Sequence, residues 1–162
     1  MYSSTLFITL AAALGLTYSS PGTTHTVVAG RGDRLIFDPH NIVAEVGSLV
    51  ELHFNPLNHS VVESSFGKPC QPKDANSLLD DFSPVVQIEV KDTRPIWFYC
   101  AQNNGAPCQS GMTGVVNQNF DNQAFSLRAH RELAAMVQEP SGVQAQIQGG
   151  WRIPNRNPLG GF

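Results

Sequence analysis

The clearest pattern along the chain is a period of two. From Leu49 the residues alternate, with Val50, Leu52 and Phe54 on one side and Glu51 and His53 on the other. The same alternation returns in "VVQIEV", where Val86, Ile88 and Val90 share a face. "RPIWFYC" reads as an aromatic strand opened by a proline, and "GMTGVVN" and "NHSVVES" as further short strands. Ahead of these, Thr26 to Val28, Leu35 to Phe37 and Ile42 to Ala44 are short β-prone runs punctuated by Gly30, Gly32, Pro39 and Gly47. About eight strands are therefore predicted before Asn117, with no helical period among them. This is the pattern of an all-β two-sheet sandwich or Greek-key barrel.

After residue 120 the period changes. In "DNQAFSLRAHRELAAMVQEP" the residues Phe125, Ala129, Leu133 and Met136 fall on one helical face. The reading is a C-terminal helix over 121–138, capped by Asp121, stopped by Pro140 and packed on the outside of the sandwich. Residues 139–162 are rich in Gly, Gln, Asn and Pro and read as a flexible tail. At the other end, Leu6 to Leu16 is an apolar run too short to span a bilayer, and residues 1–19 read as a secretory signal peptide. The domain itself is placed at 20–120.

Composition narrows the function. The 162 residues carry a formal net charge of -3, with both signs interspersed. That offers no footprint for nucleic acid or an anionic membrane. Sparse charge with frequent glycine and proline suits short strands and turns. The signal predicts a secreted protein, extracellular or associated with a cell wall. Its three cysteines, Cys70, Cys100 and Cys108, then meet an oxidising compartment, where two can pair and one is left over.

The leftover thiol draws attention to "FYCAQNNGAPCQSGM" at 98–112, where two cysteines and a methionine sit in one loop after an apolar strand. With His59 in "NHSVV", these segments resemble the cupredoxins, specifically the phytocyanin-like secreted proteins of fungi of the extracellular serine-rich type. The resemblance runs over roughly residues 24 to 120. Its blocks are "HTVVAGRG", "FDPHNIVAEVGSLVELHFNPLNHSVVESSFGKPCQP", "VKDTRPIWFYCAQ" and "CQSGMTGVVN". A type 1 copper site takes two imidazoles and a thiolate in a plane, with a weak axial thioether. The resemblance implies His59, Cys100 and Met112 as metal ligands, copper as cofactor, and a disulfide between Cys70 and Cys108. It also implies a second imidazole directly before the second loop cysteine. Pro107 stands there instead, and no histidine lies between Cys100 and Met112.

The functional expectation is a degenerate type 1 copper site on a binding or surface module that is not an enzyme. The rival is a copper protein that carries single electrons with an altered site. The partner, redox or cell-surface, is unknown. His40, His53 and His130 are expected to be solvated, and His25 would be a ligand only if signal cleavage exposed it. A multicopper oxidase is less expected still, because its trinuclear centre needs His-x-His pairs and the sequence has none, and "RGD" at 31–33 reads as a turn. Asn58-His59-Ser60 is an N-glycosylation sequon, though a structural role for Asn58 ranks above a glycan.

Overall fold

The structure, a computed structural model, describes residues 22–55, 59–73, 85–102, 105–139 and 150–155. The signal segment, Asn58 and most of the tail lie outside them.

Among the described residues nine strands form two sheets. They are β1 (Thr24–Ala29), β2 (Phe37–Asp38), β3 (Asn41–Ile42), β4 (Leu49–Phe54), β5 (Val62–Ser64), β6 (Val85–Glu89), β7 (Ile96–Tyr99), β8 (Thr113–Val116) and β9 (Trp151–Arg152). One sheet has the order β2-β1-β4-β6-β9 and the other β3-β8-β7-β5. The chain changes sheet between β2 and β3, returns at β4, and leaves again for β5, which places β1 parallel to β4 and β3 parallel to β8. The remaining pairs are antiparallel.

The alternation read from the sequence fixes which faces meet. Val50 and Leu52 on β4, Val86 and Ile88 on β6, and Phe98 and Val116 from the opposite sheet bury their side chains between the layers. Phe37 and Phe98 meet edge to face with ring centroids 5.0 Å apart. Such a pair contributes about 0.5–1.5 kcal/mol beyond the area it buries. Gly114 lies opposite Phe98 across β7 and β8, and a Cβ there would come 2.3 Å from the Phe98 ring.

Three expectations need correction. The helix, α1, runs from Leu127 to Ala135, shorter than 121–138, and its cap is Ser126, whose hydroxyl accepts the Ala129 N–H. A separate 3-10 turn at Gln123–Phe125 precedes it, capped by Asn122 and not by Asp121. Its buried face is Leu127, His130 and Ala134, while Phe125 and Met136 stay half to two-thirds exposed. The cause lies in the surface beneath the helix. Phe66 and Trp97 present an aromatic surface on which the His130 ring stacks, at centroid distances of 5.8 and 4.8 Å. Second, the tail is not wholly loose. β9 pairs with β6, and the Trp151 indole N–H donates to Gln87 Oε1 at 2.7 Å. Third, His53 and His130 are buried, not solvated; the His53 ring pairs with Glu51 at 3.2 Å, and His130 lies under the helix against Phe66 and Trp97. No helix among the described residues is long and apolar enough to cross a membrane.

Candidate metal centre

The end of β7, the loop at 105–112 and the segment leading into β5 converge. The Cys100 N–H donates to the Met112 carbonyl at 3.1 Å, which extends the β7–β8 pairing into the loop. Within the loop, Met112 N–H donates to Pro107 O at 2.8 Å, Gly111 N–H to Cys108 O at 2.9 Å and Ser110 N–H to Ala106 O at 3.0 Å. The loop is thus a closed turn with Cys108 inside it. Cys70 and Cys108 are joined in a disulfide across 38 residues, which ties this turn to the chain after β5.

Ser60 fastens the other side. Its hydroxyl accepts the Ala101 N–H at 2.9 Å and lies 3.8 Å from Cys100 Sγ. Cys100 is a free thiol, fully buried. Burial pushes its pKa up, opposed by hydrogen bonds from the Ser60 and Gln102 backbones and the Ser60 hydroxyl. Bonds of that kind favour thiolate over thiol.

His59 is 2 % exposed, and neither ring nitrogen has a hydrogen-bond partner among the described residues. A buried imidazole is costly to leave unpaired, so two bare nitrogens call for a ligand or a water. Burial lowers its pKa, which favours the neutral, coordinating form. Met112 is also fully buried. Two residues the sequence reading did not single out shape the site. Ser60 holds the thiol, and Gly30 leaves the room that the His59 ring fills. Both lie inside the motif blocks, but neither carries a donor that spacing alone would flag.

Pro107 is buried in the loop, but its side chain has no donor atom. The chain has five histidines. His25 is on β1, His53 is held by Glu51, and His130 donates from Nδ1 to the Phe66 carbonyl at 3.0 Å. His40 lines a separate cavity beside Arg131. Among the described residues, no three of His, Cys, Asp and Glu gather in a group able to hold a metal ion. What remains is one imidazole, one thiol and one thioether, a soft set that fits Cu(I) better than the trigonal demand of Cu(II).

No family model and no curated protein matches the chain. Solved structures do. Native pseudoazurin from Hyphomicrobium denitrificans aligns with a TM-score of 0.47 at 20% identity, over 72% of this chain and 100% of its own. Pseudoazurin from Methylobacterium extorquens AM1 gives 0.42 at 17%, over 71% and 99%. The oxidized plastocyanin from Dryopteris crassirhizoma gives 0.41 at 24%, over 56% and 96%. What the structure itself shows is a two-sheet β-sandwich with a single α-helix among the described residues, and neither family nor activity follows from likeness at this level.

Proposed function

We propose that this is a secreted cupredoxin-fold protein of the phytocyanin-like kind with a degenerate type 1 copper site, serving as a non-catalytic binding or surface module. The observation that carries the proposal is Pro107. It sits inside the hydrogen-bonded ligand loop, next to the disulfide, at the position where the resemblance calls for the second imidazole. Loss of an equatorial ligand weakens a site by more than the roughly 10–100-fold that removal of an outer hydrogen-bond partner costs. His59, Cys100 and Met112 would be the residues left to hold a metal.

One observation favours a second reading, a copper protein with an altered site. The bare nitrogens of His59 and the free thiol of Cys100 are retained side chains that an inert sandwich core does not require. Metal analysis after purification from copper-replete cells, followed by Cu(II) titration in the visible range, separates the two. The degenerate site predicts substoichiometric copper and no intense blue band. A stoichiometric blue protein would overturn it and establish the altered electron carrier.

A further inference from the structure

Beside the ligand loop, on the face shared by the 34–40 segment and α1, lies a cavity of about 400 Å³. Arg34, Asp38, His40, Ser110 and Arg131 contribute its polar groups, and Leu35 and Ile36, both half-buried, part of its apolar wall. Its charges are not balanced. Asp38 is taken by Arg31 at 3.2 Å, whereas neither Arg34 nor Arg131 has an ion-pair partner among the described residues. Arg131 is half-buried. One of its terminal nitrogens donates to the Thr113 carbonyl at 3.2 Å, and its Nε is buried with no partner. Its side chain runs alongside Gly111, with Cδ 3.9 Å from where a Cβ on that residue would stand.

A guanidinium that gives up water without gaining an anion is unfavourable, and its burial indeed pushes the Arg131 pKa down. The two cationic groups stand in a chain whose net charge is -3, so the positive cavity runs against the overall balance. Burial and the Arg131 charge also hold His40 below its ordinary value, against the pull of Asp38. The positive charge of the cavity therefore comes from the arginines.

We infer that this cavity is a binding site for a small oxyanion, a carboxylate or phosphate group carried on a compact, partly apolar body, with Arg131 as the principal contact and Arg34 at the rim. Arginine is suited to this because its planar fork meets two oxygens at once. Leu35 and Ile36 would cover the apolar part. The inference does not rest on the copper reading, since none of these residues is a proposed ligand.

The test is a titration of the full mature chain, labelled with nitrogen-15, with inorganic phosphate and separately with benzoate at fixed ionic strength. Saturable shifts are expected at the Arg131 Nε and at the amides of Gly111 and Thr113. Which probe saturates identifies the head group. Arg131→Gln should weaken binding roughly 10–100-fold, the loss that one or two charge-assisted hydrogen bonds imply. Arg34→Gln, on an exposed side chain, should weaken it with the fold intact, and so decides the matter if Arg131→Gln does not fold. Arg128→Gln, on the outer face of α1 and paired with Glu132, should change nothing. Absence of saturation with both probes would overturn the inference. So would an Arg128→Gln loss as large as that of Arg34→Gln, because it would mean diffuse attraction to surface charge.

Discussion

A Cβ placed on Gly30 would lie 2.1 Å from Nε2 of His59, so the imidazole occupies the space that the missing side chain leaves. Gly30 also holds a φ of +82°, where side-chain-bearing residues are strained. Gly30→Ala should therefore cost about 3 kcal/mol, combining left-handed strain with expulsion of the ring. Gly32→Ala isolates the first effect. Its φ is +62° with nothing within 4 Å of the new Cβ, and it should cost only about 1 kcal/mol. Urea unfolding of both variants is the measurement. Equal losses would mean that His59 moves aside freely and that the pocket around it is not rigid.

The Cys70–Cys108 bond closes a loop across 38 residues. Replacing both cysteines by serine should remove about 3–4 kcal/mol by chain entropy. The loss should be felt in α1 as well, because the two half-cystines pack with Tyr99 and Ala134 in one cluster. Faster amide exchange across Leu127–Ala135 in the double variant, relative to β4, would report that coupling. Peptide mapping without reduction should find this bond and one free thiol at Cys100.

His130 predicts acid sensitivity. It is fully buried, with burial the main cause lowering its pKa from 6.5, the Arg131 charge adding to it and the Phe66 carbonyl opposing. A group with a depressed basic pKa binds its proton more readily when unfolded. Stability is thus fully present above about pH 6.5 and declines as the pH falls below it. His130→Gln removes the titration and can keep a bond to Phe66 O. Its unfolding free energy should fall less between pH 7.5 and 5.0 than that of the native chain. Identical declines would assign the acid sensitivity elsewhere.

His130 also shows where the sequence stops being readable. Two sets of residues in this region have helical spacing; of the more hydrophobic one Ala129 and Leu133 are only half-buried and Met136 is exposed, while Leu127, His130 and Ala134 take the buried side. The choice was made by Phe66 and Trp97, far away in sequence, whose rings accept a flat imidazole. No period within the helix encodes that. Trp151 is a similar case, since its strand exists only because the β6 edge is open and Gln87 offers an acceptor. The strands were legible because alternation on β4 and β6 is a local property, set by which face meets the opposite sheet. The candidate ligands were legible as residue types in a fixed order. Gly30 and Ser60 act by space and by hydrogen bonding, which leave little mark on composition.

The sharpest prediction concerns Pro107→His. The intense blue band of a type 1 centre arises when a cysteine thiolate donates charge to Cu(II) in a plane completed by two imidazoles. On the proposed reading His59 and Cys100 are ligands, and Pro107 stands where the resemblance calls for the second imidazole. The backbone bond at that position is one that histidine can also make. Pro107 uses its carbonyl to receive the Met112 N–H, and a histidine carbonyl can do the same. Cys108 fixes the next residue through its disulfide. Pro107→His should therefore gain a visible band on Cu(II) titration that the native protein lacks. Pro107→Ala, which frees the backbone without supplying a nitrogen, should not. If both variants behave alike, the loop aims position 107 away from the thiol, and degeneracy lies in its path and not in the missing imidazole alone.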